Sequence, residues 1–293
     1  MTSDAIAGAR PVSRLAFEPA AGVVVVSAIS SQFAAVIAFK VFDRIGPVGA
    51  AGGRVGFAAL FLVLATGLPR GRTRAEWRPV VPLGIALALM NTLFYLALDR
   101  LPLGAAVTVE FIGPIAVAVI ASRSARHLAA AALAAFGIAL LGEGLGGSSV
   151  VGLALAAAAG AAWAVYILAG RRVAVSWSGA SGLAAAMAIG AVVLVPFAVL
   201  DARGAFVSPK ALGACAAIGL LGSALPYGLD QVALRRVSAR AFSVLLSLHP
   251  AVGAIVGYLV LDQDIDVQTG VAIGLVVLAS IVAARPEPLP EPA

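Results

Sequence analysis

Hydrophobic positions fall into ten long runs, separated by short stretches that hold most of the charge and many of the helix-breaking prolines and glycines. The runs predict helices over Ala20–Phe39, Pro47–Leu68, Val80–Leu98, Leu103–Ser122, Leu128–Leu145, Val151–Ala169, Gly179–Leu200, Ala211–Leu234, Ala241–Leu261 and Val267–Ala284. Each is close to the roughly 20 apolar residues that one bilayer crossing needs. Residues 1–19 carry Asp4, Arg10, Arg14 and Glu18 without an apolar core, so no cleavable signal peptide is expected and the first helix directs insertion. The prolines from Pro286 onward predict a disordered tail over 285–293.

Composition turns a helical reading into a membrane one. Of 293 residues, 61% are hydrophobic and 12% charged, and the mean hydropathy is +1.04. Soluble domains have about 45–50% apolar and about 25% charged residues. A soluble chain of this size has too much surface to hide so much apolar area. The expected fold is an all-α integral membrane protein with ten transmembrane helices.

Charge then sets orientation. Fourteen of the twenty Lys and Arg fall in the tails and alternate loops (Arg70, Arg72, Arg74, Arg78, Arg171 and Arg172 among them), against five in the other loops. The positive-inside rule therefore puts both ends in the cytoplasm, and basic loops account for the net charge of +6. No basic stripe is interleaved with aromatics, so nucleic acid is not an expected partner; the lipid bilayer is. Eighteen arginines against two lysines hint at a GC-rich bacterial genome, hence a bacterial inner membrane.

A shift of 136 residues lays Ala97–Leu101 on Ala233–Val237, Ala105 on Ala241 and Pro114 on Pro250. This predicts two five-helix repeats, 20–146 and 147–284. A unit with an odd number of crossings must insert upside down in its tandem copy, a plan recurrent in secondary transporters. Glycine pairs at four-residue spacing (Gly52/Gly56, Gly142/Gly146, Gly253/Gly257, Gly270/Gly274) are expected to let helices approach closely.

Polar side chains deep in hydrocarbon are costly, so they mark candidate chemistry. Glu110 lies one turn before Pro114, which cannot donate to its carbonyl. Such a carboxylate either binds an ammonium group or exchanges a proton; the competing reading is a neutral acid hydrogen-bonded to a neighbouring helix. His249, preceding Pro250, reads either as a proton carrier or substrate contact, or as a neutral histidine satisfied by a backbone carbonyl. Arg54 is expected to snorkel to the interface rather than meet a substrate carboxylate. Asp230 is expected to pair with loop arginines or to help form an inner gate. Asn91 and Tyr95 share one helix face, as do Trp163 and Tyr166, and Gln32 joins Ser27, Ser30 and Ser31 in a polar stripe. Trp163 reads equally as packing or as cavity wall. No catalytic set, phosphate-binding glycine loop or metal-ligand spacing is present, and one cysteine with two histidines leaves neither a disulfide nor a metal site. Neither a cofactor nor enzymatic activity is expected.

The segments Met90–Tyr95, Pro102–Val107 and Glu110–Pro114, with Trp163–Leu168 and Ser223–Tyr227, resemble the EamA-domain branch of the drug/metabolite transporter superfamily. Within it they are similar to bacterial threonine/homoserine exporters. The resemblance implies ten helices in an inverted repeat and export of amino acids or related metabolites. It carries acidic residues onto Glu110 and Asp230. The chain departs from the family where His249-Pro250 replaces a Glu-Pro, and where Asp262-Gln263 replaces a Gly-Glu pair. The resulting expectation is a secondary exporter of small amino acids working by alternating access, with protons as a candidate coupling ion. Glu110, Asn91, Tyr95, Trp163, Tyr166, Tyr227, His249 and Gln32 would bind substrate, and Asp230, Arg54, Pro114 and Pro250 would serve gating or coupling. The alternatives are a same-fold exporter of another metabolite or drug, an intramembrane lipid-modifying enzyme, and a non-transporting scaffold.

Overall fold

Uncharged apolar runs can satisfy their backbone inside a bilayer only as helices or closed barrels. The computed structural model describes residues 14–67, 72–121, 125–142, 147–177, 180–202, 208–236, 246 and 248–284, and every regular element among them is helical. In chain order these are α1 (Arg14–Phe39), α2 (Phe42–Thr66), α3 (Arg74–Trp77), α4 (Val80–Leu98), α5 (Leu103–Glu110), α6 (Ile112–Ala121), α7 (Ala125–Gly142) and α8 (Gly147–Ser176). They continue as α9 (Ser181–Asp201), α10 (Pro209–Gly219), a π-helical turn (Leu220–Ala224), α11 (Leu225–Arg236), α12 (His249–Leu261) and α13 (Val267–Ala284). The third and tenth predicted helices coincide with α4 and α13 to the residue. Among the described residues six helices are long and apolar enough to cross a membrane, and four shorter apolar helices accompany them. The predicted tail 285–293 and the predicted helical stretch 241–245 lie outside the described residues.

Two predicted helices are broken, each at a proline. The fourth divides into α5 and α6 at Phe111, because Pro114 supplies no N–H to the Glu110 carbonyl. The eighth divides into α10 and α11 through the π turn, which ends two residues before Pro226. In α2 the backbone turns at Gly46, whose φ of 68° suits a glycine, and the regular helix begins at Pro47 as the hydrophobic run predicts. Asp201, at the end of α9, accepts the Gly49 N–H there at 3.2 Å. The carboxylate thus caps a helix start belonging to another element.

Helices pair through small residues. α2 lies against α9 and α10, α4 against α8 and α9, α1 against α11, α5 against α12, and α7 against α13. Buried positions are rich in alanine and glycine, whereas Leu64, Val192 and Leu200 are 73–77% exposed. This distribution suits lipid outside and close helix contact inside. A Cβ at Gly52 would strike Ala198, and one at Gly104 would come within 2.8 Å of Ala254. Gly253 and Gly257 face Val107 and Leu103 of α5. Gly270 and Gly274 meet nothing within 4 Å, which corrects the expectation of close packing for that pair. Gly146 lies outside the described residues.

The two classes of glycine are separable by experiment. Gly52→Ala is expected to lower the melting temperature of the detergent-solubilised protein, by overpacking worth about 1–3 kcal/mol. Gly270→Ala is expected to leave it unchanged, and equal shifts in the two variants would contradict the assigned contacts.

Candidate functional site

The π turn is the starting point for the site. In an α-helix the Gly222 carbonyl would accept from residue 226, but Pro226 has no N–H. The Leu225 N–H reaches back five residues to Leu220, which also leaves the Leu221 carbonyl without its usual donor. Side chains from two other helices fill both vacancies. Ser30 Oγ of α1 donates to Leu221 O at 2.7 Å, and Arg54 Nη2 of α2 donates to Gly222 O. Arg54 Nε donates to Ser223 Oγ at 2.9 Å, and Nη1 lies 3.5 Å from the Tyr95 hydroxyl, with the guanidinium carbon 5.5 Å from that ring's centre.

Arg54 is therefore 8% exposed and faces the interior of the helix bundle. The snorkelling expectation is wrong for a physical reason: a guanidinium goes inward when backbone carbonyls and hydroxyls are held there to receive it. The ionisable groups acting on its charge are Tyr95, Tyr227 and Glu110. It forms no ion pair with Glu110, and the Glu110 carboxylate makes no hydrogen bond among the described residues. The reading of Glu110 as a neutral acid bonded to a neighbouring helix finds no such bond. Its backbone is tightly held instead. The Glu110 carbonyl faces Gly160 of α8, where a Cβ would come within 2.5 Å, and Gly113 meets the Gly160 carbonyl just as closely.

Other candidates gather around these two charges. Tyr166 of α8 stacks on Tyr227 of α11 (ring centres 5.9 Å apart, planes at 29°), and Tyr227 neighbours Asn91 of α4. Asn91 Nδ2 donates to Leu87 O at 2.7 Å, while its buried Oδ1 has no partner. Trp163 sets its edge on Phe111 at 5.1 Å, and Phe111 lies 6.3 Å from the His249 ring. His249 Nε2 is buried and unpartnered, so the reading in which a carbonyl satisfies it fails for that nitrogen. Gln32, buried on α1, lies beside Gly253 of α12. Pro114 sits in α6 and Pro250 in the first turn of α12, each beside a charged or titratable candidate.

Asp230 is tied to α1. Its carboxylate accepts the Ser27 hydroxyl at 2.8 Å, and Arg240, one of the loop arginines expected to pair with it, lies outside the described residues. Phe111 and Ser223 were absent from the sequence-derived site; the proline at 226 was the available signal for Ser223. Gln263, read as a departure from the family pattern, accepts the Leu103 N–H at 2.9 Å and so caps α5. Among the described residues no three His, Cys, Asp or Glu side chains converge as a metal site would require.

Many apolar helices with ionisable side chains buried beside their breaks suit the class of membrane transporters. Comparison with known proteins agrees. The model of the EamA-like transporter family matches residues 150–285. The chain is 34% identical to the threonine/homoserine exporter RhtA of Escherichia coli (strain K12) over 263 residues, 88% of this chain and 89% of that one. It is 35% identical to the exporter of the same name from Salmonella typhimurium (strain LT2) over 266 residues, 89% of this chain and 88% of that one. A protein of known crystal structure shares the fold at a TM-score of 0.56, with 19% identity, over 92% of this chain and 98% of that chain. The chain belongs to the EamA-like transporter family, and is a multi-pass membrane transporter rather than an enzyme.

The coupling between Arg54 and Pro226 can be measured. Arg54→Met strands the Gly222 carbonyl and should cost about 1–3 kcal/mol of stability. Pro226→Ala supplies the missing N–H, so the double variant should be more stable than the sum of the single effects implies. Strict additivity in detergent melting would show that the arginine does not depend on the carbonyl the proline frees.

Proposed function

We propose that this protein exports small amino acids of the threonine and homoserine type from the bacterial cytoplasm, by alternating access across the inner membrane. The observation that carries the reading is that two ionisable side chains of opposite type, Arg54 of α2 and Glu110 of α5, lie within the helix bundle and form no ion pair with each other. A zwitterion calls for such groups: a guanidinium for its carboxylate and a carboxylate for its ammonium. Asn91 Oδ1 and His249 Nε2 add two buried polar atoms without partners. A hydroxylated side chain, both donor and acceptor, matches them. The named activity of the relatives, aligned over nearly nine-tenths of the chain, supports the same substrate class.

In this reading Gln32, Tyr95, Trp163, Tyr166 and Tyr227 line the substrate path. Asp230 on Ser27, and the breaks at Pro114 and Pro250, serve gating or coupling. Ten crossings, repeats over 20–146 and 147–284, and cytoplasmic ends complete the arrangement; a family match at 150–285, close to the second repeat, supports the division.

Glu110→Gln is expected to reduce threonine and homoserine export from loaded cells about tenfold or more, since one pole of the site is lost. Transport near the wild-type rate would overturn the role. Uptake of labelled threonine by proteoliposomes, with and without an imposed pH gradient, separates an ammonium contact at Glu110 from a coupling proton there.

A further inference from the structure

A second basic site lies away from the buried charges, where α3 and α4 meet the end of α8. A cavity of about 340 Å³ opens there, lined by Arg78, Arg172 and Ser176 with Pro79, Pro82 and Ala169 among its apolar residues. Its depth in the membrane follows from the sequence. The predicted apolar runs begin at Val80 in α4 and end at Ala169 in α8, so both arginines stand just beyond them, at the boundary between apolar and polar surface. Trp77 and Trp177 meet edge to face at 5.3 Å beside it, as aromatic side chains do at a membrane interface.

Charge bookkeeping around the cavity is unbalanced. Residues 72–78 and 169–177 hold five arginines and a single acid, Glu76. That acid is engaged: it binds Arg72 at 2.6 Å and the Thr73 backbone N–H at 2.8 Å, while Arg72 also lies 4.8 Å from the Trp177 ring centre. The Trp177 indole N–H donates to the Glu76 carbonyl at 3.1 Å, fixing the wall beside the cavity. Among the described residues, the Arg78 and Arg172 side chains meet no acid. Two guanidinium groups across a cavity with an apolar floor are complementary to a phosphodiester attached to acyl chains. Among the described residues no carboxylate lines the cavity to receive a headgroup amine, so a zwitterionic lipid gains less.

We propose that this cavity binds the headgroup of an anionic glycerophospholipid, with Arg78 and Arg172 on the phosphate and the Pro79–Pro82–Ala169 wall against the glycerol and upper acyl chain. A free phosphate would use the arginines but not the wall. The site is separate from the transport reading above and does not depend on it.

The test uses the full chain purified in detergent and phosphatidylglycerol, phosphatidylcholine with identical chains, and inorganic phosphate as probes. Native mass spectrometry should show phosphatidylglycerol retained in preference to phosphatidylcholine. Retention should fall on the order of tenfold in Arg78→Gln/Arg172→Gln and hold in Arg74→Gln/Arg171→Gln, which removes equal charge outside the cavity. In the wild-type protein, phosphatidylglycerol brominated near the headgroup should quench tryptophan emission, and unlabelled phosphatidylglycerol should reverse it where phosphatidylcholine does not. That measurement stands even where the double variant fails to fold. Equal retention of the two lipids, competition by inorganic phosphate at lipid-like concentrations, or an equal loss in the control variant would each overturn the proposal.

Discussion

The interior of this protein depends on two backbone carbonyls that the chain cannot satisfy within their own helix. Pro226 withholds the donor that Gly222 needs, and the π turn leaves Leu221 without one. An unsatisfied carbonyl in a membrane interior costs several kcal/mol, so some other group must be drawn in. Ser30 and Arg54 are those groups, and they tie α1 and α2 to the α10–α11 helix. The same contacts make burial of a guanidinium tolerable. Its charge is met by a carbonyl and two hydroxyls rather than by an acid, so the Coulombic demand remains partly open.

The break between α5 and α6 follows the same logic with a different outcome. Pro114 frees the Glu110 carbonyl, and here the neighbour supplies closeness instead of a donor: Gly160 and Gly113 bring α8 against the bare backbone. Irregular backbone at membrane depth is tolerated where protein covers it, and both breaks are so covered. Each break also places a charge, Glu110 directly at one and Arg54 on the carbonyl of the other. Proline positions thus determine where ionisable groups can stand in this membrane domain.

How much of this was legible in the sequence follows from what each feature answers to. Helix extents answer to hydrocarbon, a demand local in sequence, which is why α4 and α13 match their predicted bounds. Glu110 was legible because its proline lies four residues away. Arg54 was misread because its acceptors lie 168 and 169 residues further on, and depth along one helix says nothing about what another brings to it. Gln263 shows the same limit. The sequence marked it only as a departure from the family pattern, whereas the side chain closes the start of α5 across 160 residues of sequence. The glycine pairs divide for the same reason: Gly52 and Gly270 share a spacing motif, but only Gly52 has a helix in front of it.

Polar groups inside a membrane protein serve either the fold or a ligand, and their state of satisfaction separates the two. Asp230 with Ser27, Asp201 with Gly49 and Gln263 with Leu103 are closed pairs that hold one element to another. Glu110, Asn91 Oδ1 and His249 Nε2 are not closed among the described residues. Buried polar atoms without partners are rare in native structures, because each forfeits its hydration without recompense. Asn91 Oδ1 of α4 and His249 Nε2 of α12 are two such atoms, and in the proposed reading one occupant completes them both. In that proposed reading a ligand with an ammonium, a carboxylate and a hydroxyl meets those demands, and a purely apolar one meets none of them.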